Sequence, residues 1–265
     1  MLRKDVITDF KLDRCSASSE EVARFSALAH EWWKPNGAFK VVHRFNAARL
    51  AYLTARLPEW TGLDGGGERP LAGLRLVDVG CAAGLVAEPL AALGADVVGI
   101  DASGRNIEIA RGHARAGGVA VDYRHMLPEQ LAESGERFDV VLSLEVVEHV
   151  GDVPLFLAAC AELVRSDGVL VIATLNRTAK SFLFGIVGAE YVLRLLPRGT
   201  HDWRKFIRPE ELRTELAPHG LHEMELAGMA LNLLTGKFKM TGNPSVNFIQ
   251  AFRRGADLDT GGRNL

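Results

Sequence analysis

Cysteine is scarce in this chain of 265 residues, which holds only Cys15, Cys81 and Cys160. They are odd in number and far apart. Reduced thiols in a cytosolic setting are expected, and a zinc site is not. Neither sign of charge dominates: 31 Lys and Arg against 33 Asp and Glu leave a net charge of −2 and a pI of about 6.5. No block of like charge stands out, so no nucleic-acid partner is expected. No run of about 18 uncharged apolar residues exists, so nothing is expected to span a membrane. The first residues lack an apolar signal stretch, and Asp5, Asp9 and Asp13 argue against a transit peptide. Internal repeats are not evident.

What is present is a large apolar fraction, 48%, enough for a substantial core. The length suits one embellished α/β domain. Helices are predicted at 19–33 and from about Ala38 to Leu57. After a glycine-rich loop from Gly62 to Pro70, strands are predicted at 74–79, 96–100, 120–124, 138–143 and 168–175. Helices at 84–93, 104–116, 154–165 and 209–217 alternate with them. Two further strands near 221–231 and 246–253 are predicted to close the edge as an antiparallel pair. Alternation of this kind gives a doubly wound, seven-stranded, mostly parallel sheet with helices on both faces. Its ligands sit at the carboxyl ends of the strands.

The most informative stretch is Leu76-Val77-Asp78-Val79-Gly80-Cys81-Ala82-Ala83-Gly84, a buried strand running into a small-residue turn. Small residues let backbone approach a ligand closely. The next strand ends in Asp101, and Gly80 to Asp101 is 101 − 80 = 21 residues. A turn under one end of a nucleoside and a carboxylate on the ribose hydroxyls fit that spacing. The turn is not G-x-G-x-x-G, so a dinucleotide is not indicated. Asp78 disfavours phosphate and suits a cationic ligand such as S-adenosylmethionine, which carries a sulfonium and an amino group.

Asp78 to Gly84 followed by Gly99-Ile100-Asp101 resembles the class I S-adenosylmethionine-dependent methyltransferases. His43 to Leu50, Glu145 to Val150, Thr174 to Arg177, Val187 to Tyr191 and Gly199 to Asp202 resemble one family within them, the ubiquinone-biosynthesis O-methyltransferases. These methylate polyprenylated catechols and hydroquinols. The resemblance covers roughly residues 20 to 254. The glycine turn identifies only the superfamily, and the segment around 176–202 is more specific. Ala82-Ala83 departs from the family's usual Gly-Gly, and alanine fits a close turn there if φ is negative.

The cofactor-site candidates are Arg49, Asp78, Gly80, Gly84, Asp101 and Leu144. Asp101 can bind ribose or cap the next helix, which Ser103 could also do. Arg49 can be a solvated helix cation. The resemblance places its position at the cofactor, where a guanidinium can bind a carboxylate in a bidentate way. Leu144 can be core, and the resemblance places it against the adenosine. The segment His125 to Glu129 is expected to border the adenine. Glu145, Glu148 and His149 have i, i+3 and i+4 spacing, which would put all three on one face of a helical turn. They are the catalytic candidates. Two carboxylates and an imidazole suit a hard divalent ion, and the resemblance implies magnesium there. A metal-free alternative keeps His149 as general base toward a phenol whose pKa is near 10. Solvated charge on a helix face is the remaining alternative.

Phe182, Ile186 and Leu193 recur at helical spacing among Arg and Lys residues. The stripe reads as a core helix or as an amphipathic face for an anionic membrane surface and a polyprenyl tail. His201 can line the substrate or sit in an ordinary turn. The domain plan is a flexible 1–18, a methyltransferase domain over 19–254 and a disordered tail over 255–265. Within the domain, 19–70 is a helical cap and 176–206 an insertion facing substrate or membrane. The implied location is cytoplasmic and peripheral at the inner membrane, with membership of a biosynthetic complex as a further partner. Rival readings are a methyltransferase for another small phenol or a carboxylate, and a catalytically weak cofactor-binding scaffold.

Overall fold

The computed structural model describes residues 15–34, 36–37, 39–182, 202–232 and 235–255. Five parallel strands form its centre: β1 (Arg75–Val79), β2 (Asp96–Asp101), β3 (Asp122–His125), β4 (Phe138–Leu144) and β5 (Val164–Leu175). β6 (Leu221–Asn232), β7 (Lys237–Thr241) and β8 (Asn247–Arg254) join through antiparallel pairs. The sheet order is β3-β2-β1-β4-β5-β8-β6-β7. The sheet therefore has eight strands among the described residues, where the sequence pattern gave seven. The added strand is β7. Its Lys-Phe-Lys-Met-Thr alternation is only five residues long and merges into the loop between its longer neighbours.

Strand side chains alternate between two cores, as a pleated sheet requires. Leu76, Val140, Leu142, Val169 and Val171 face one core with α2 (Lys40–Thr61), α3 (Ala87–Ala92) and α4 (Gly104–Gly117). Val77, Val79, Val141, Leu170 and Ile172 face the other with α5 (Pro128–Glu133), α6 (Val153–Leu163) and α8 (Pro209–Leu216). Burial on both faces explains the near-continuous apolar runs of the central strands. A three-residue turn, α7 (Ala179–Ser181), follows β5, and α1 (Ser19–Ala27) opens the described chain. No helix among the described residues is long and apolar enough to cross a membrane.

Two local expectations change. The helix predicted over 19–33 ends as α1 at Ala27 and continues as a 3-10 turn over Ala29–Glu31. The loose N-terminal segment predicted up to residue 18 is already tied down at Ser16, which is buried. Its N–H donates to Glu129 Oε1 at 2.7 Å, and its carbonyl accepts from Gly151 at 2.6 Å.

Candidate functional site

At the carboxyl ends of β1, β2 and β4 lies a cavity of about 680 Å³. Arg49, Asp78, Gly80, Asp101, Leu144, Glu145 and His149 all line it. The strand register explains why: β2 and β4 flank β1, so Asp101 and Leu144 reach the level of the turn that follows Val79. The same cavity takes in Met126, Leu127 and Pro128, which follow β3. Neighbouring His125 instead meets the Ala102 carbonyl at 3.1 Å through Nε2, and Glu129 holds Ser16.

Gly80 has φ 74°, a left-handed conformation that favours glycine. A Cβ there would also lie 2.5 Å from Val146 Cγ2. Gly84 is not among the cavity-lining residues. Its φ is 90°, and a Cβ would lie 2.0 Å from the Tyr123 hydroxyl, so this glycine admits β3 packing beneath the turn. Between them stands Ala82 with φ 48°. The condition for a comfortable alanine, a negative φ, is not met at Ala82, and the turn holds it in a conformation that disfavours side chains.

Asp101 fastens that turn. Its Oδ2 accepts from the Ala82 N–H at 2.9 Å, and its Oδ1 accepts from the Ser103 N–H at 2.7 Å and Asn106 Nδ2 at 3.2 Å. Burial raises its pKa against the pull of those three donors. Ser103 is the cap of α4, accepting from the Asn106 N–H at 3.2 Å. The capping role belongs to Ser103, which leaves Asp101 as the turn's anion.

Arg49 is buried on α2. Its Nη2 donates to Glu145 Oε1 at 2.7 Å and its Nη1 to Asn46 Oδ1 at 3.1 Å. Burial lowers its pKa, opposed by Glu145, Glu148 and Asp78. Asp78 is raised to about 7 by burial, a shift that Arg49 opposes and Asp101 reinforces.

Glu145, Glu148 and His149 do not share one helical face. Glu145 has φ 59°, and its N–H still donates to Ala173 at 2.8 Å alongside β5. A 3-10 turn, Val147–His149, begins only after it. Glu145 therefore turns toward Arg49. Glu148 points into the interior, where burial and the Glu145 charge raise its pKa to about 7 against the pull of His149 and Thr174. His149 faces the cavity with Nδ1 3.2 Å from Glu21 Oε2 of α1. Burial raises the Glu21 pKa, but the bond and charge of His149, joined by Arg24 and Lys205, together outweigh it and bring it down to about 2. No group of three His, Cys, Asp or Glu among the described residues could hold a metal ion. As they stand, these side chains do not fit the magnesium site that the resemblance implied.

Sequence reasoning missed Glu21, Asn106 and the α1 segment, whose Ser26 Oγ lies 2.6 Å from Ser103 Oγ. Nothing in local periodicity signals a partner from a distant part of the chain. Phe182 is 48% exposed. Ile186, Leu193 and His201 lie outside the described residues.

A doubly wound sheet with an acid-ended second strand and a tight turn at the first is the fold of the class I methyltransferases. Solved structures share this fold: a magnesium protoporphyrin IX methyltransferase from Synechocystis with bound S-adenosylhomocysteine (TM-score 0.60, 18% identity, 89% of this chain and 100% of that one). Another is an N-methyltransferase from Bradyrhizobium japonicum in complex with S-adenosylhomocysteine (TM-score 0.57, 18% identity, 89% and 97%). A methyltransferase-domain family model matches residues 42–225. The chain is 52% identical over 228 residues to the ubiquinone biosynthesis O-methyltransferase of Azorhizobium caulinodans, covering 86% of this chain and 90% of that protein. It is 48% identical over 236 residues to the one of Chelativorans sp., covering 89% and 93%. The chain belongs to the ubiquinone biosynthesis O-methyltransferase family.

Proposed function

We propose that the chain methylates a phenolic oxygen of a polyprenyl-substituted catechol or demethylated quinol, with S-adenosylmethionine as donor. The observation that carries this reading is one cavity that joins an acid-lined cofactor seat to an imidazole held by a carboxylate. S-adenosylmethionine supplies, when bound, an electrophilic methyl group on a positively charged sulfur. Asp101 and the Gly80 turn hold the ribose end. Arg49 takes the carboxylate and Asp78 faces the cationic portion, while Leu144 packs on the adenosine. The Glu21 carboxylate favours the His149 tautomer with its proton on Nδ1, so Nε2 accepts the proton of the acceptor's hydroxyl. The phenolate so formed is the nucleophile, and the rest of catalysis is orientation and exclusion of water.

Magnesium would need Glu145 to leave Arg49 and Glu148 to turn out of the interior. Full turnover in excess chelator excludes it, and loss restored by magnesium establishes it. The peripheral location at an anionic inner-membrane surface rests on exposed Phe182 beside Lys180. Cosedimentation with anionic but not neutral liposomes tests it. Partnership in a biosynthetic complex and the division into a cap (19–70) and an insertion (176–206) belong to the same reading.

The deciding experiment is incubation with methyl-labelled cofactor and short-tailed catechol and quinol analogues. Label in a methoxy product supports the proposal. Binding of cofactor with no transfer to either acceptor leaves the scaffold reading, and transfer only to a carboxylate leaves the other enzymatic rival.

A further inference from the structure

The strand absent from the seven expected, β7, packs against the first half of α2 at the edge of the cavity. Its alternation is strict: Lys237 and Lys239 are exposed, while Phe238 and Met240 are half-buried. The β6–β7 register pairs Leu231 with Phe238 and Met229 with Met240, so one apolar face of the hairpin looks inward. Phe238 meets Phe45 of α2 edge-on, with centroids 5.2 Å apart and planes at 86°. Phe45 also lies under the Arg49 guanidinium, 4.5 Å from ring centroid to carbon.

α2 changes its role along its length. Leu53, Leu57 and Trp60 pack in the core, whereas Val42, Phe45, Asn46 and Arg49 line the cavity. Met229, Leu231 and Phe238 continue the same lining from the hairpin. A charged sulfonium cofactor with a polar ribose needs no such wall. The loop that follows β7 is held by Asn176 Nδ2, which donates to the Pro244 carbonyl at 2.9 Å, and by Thr178 Oγ1, which donates to the Ser245 carbonyl at 2.6 Å; the Met229 N–H of β6 donates to Asn247 Oδ1 at 2.9 Å.

We propose that β7 and the first half of α2 form the acceptor-specificity wall, with Phe238, Leu231, Met229 and Phe45 binding the apolar substituent beside the reacting ring. The inference rests on the acceptor class proposed above and gives its tail a place within the cavity. Phe45 joins this wall to the cofactor end through Arg49, so the substituent is held at a fixed distance from the methyl donor.

The test compares kcat/KM for a prenyl-tailed and a tail-less catechol in the wild type, Phe238→Asn and Phe238→Leu, with cofactor affinity by calorimetry and thermal unfolding as companions. The wild type should prefer the tailed acceptor. Phe238→Asn should lower that preference at least about tenfold, mainly through KM, because a polar group replaces apolar area in contact with the tail. Phe238→Leu should keep most of it. An equal fall for both acceptors in Phe238→Asn, or methylation by the wild type without preference, overturns the wall. If Phe238→Asn unfolds, Leu231→Asn takes its place, and an unchanged preference there overturns it equally. Failure of the wild type to methylate either catechol strikes the proposed function itself, a distinguishable result.

Discussion

Arg49 Nη2 donates to Glu145 Oε1 at 2.7 Å and so joins α2 to the turn after β4. The arginine side chain is 3% exposed and the glutamate 29%. The pair is thus anchored in the interior on one side and open to the cavity on the other. Glu145 reaches this position only because its φ is 59°, which swings it out of the line of β4. The contact puts a cavity-facing carboxylate on the very cation proposed to bind the cofactor's carboxylate.

Removal of that cation should be costly. Arg49→Ala removes the buried cation that faces Asp78, Glu145 and Glu148. Loss of one partner of a buried pair destabilises by about 3–5 kcal/mol. Chemical denaturation should show a loss near the lower end, since Glu145 can rehydrate. Cofactor affinity should fall as well. A variant with unchanged unfolding midpoint and unchanged affinity would show that Arg49 is neither keystone nor ligand.

Asp101→Ala should weaken cofactor binding by about 1–3 kcal/mol, the cost of leaving buried donors without their acceptor. The Ala82 and Ser103 N–H groups lose their partner along with any ribose hydroxyls. Calorimetric titration with S-adenosylhomocysteine reads the effect. Affinity equal to the wild type in a folded variant removes Asp101 from the site.

Ala82→Gly should stabilise the chain. An L residue at φ 48° carries a penalty of roughly 1–2 kcal/mol that glycine does not, reduced by glycine's greater freedom in the unfolded state. A gain of about 0.5–1 kcal/mol in denaturant unfolding is expected, with cofactor affinity equal or higher. A net loss of stability would mean that the Ala82 methyl, which packs against the Phe39 and Leu85 cluster, outweighs the strain.

The sheet was legible because its signal is local. Near-continuous apolar strands, such as the one holding Val97, Val98 and Ile100, are buried on both faces and carry their pattern in a few consecutive residues. The turn at Gly80 and the acid at Asp101 were legible for the same reason, since each marks a strand end. Partners fixed by tertiary folding were not. Glu21 meets His149 from a helix near the chain's start, and no periodicity links the two. The i, i+3, i+4 reading of Glu145, Glu148 and His149 assumed a helix where a positive φ breaks the turn. Dihedral angles at Ala82 and Glu145 belong to the packing around them, which residue type alone does not encode.

Asp78 should make cofactor binding depend on pH near neutrality. Burial raises its pKa from 3.8 to about 7 in the cofactor-free chain. Between those values the folded chain holds a proton that the unfolded chain has released. Its contribution to stability is thus complete below the unfolded pKa and is lost as pH rises through about 7. Glu148, raised to about 7 as well, adds to the same slope. A cationic ligand beside Asp78 favours the carboxylate and expels the proton. Affinity for S-adenosylmethionine should therefore climb roughly tenfold between about pH 6 and 8, as the ionised fraction grows. Asp78→Asn should bind weakly with a nearly flat profile, and its stability should fall less steeply as pH rises from about 4 to 7. Calorimetry across this range, repeated in buffers of different ionisation enthalpy, reads both the affinity and the proton released. An Asp78→Asn profile as steep as the wild type's would assign the proton to another group and remove Asp78 from contact with the cation.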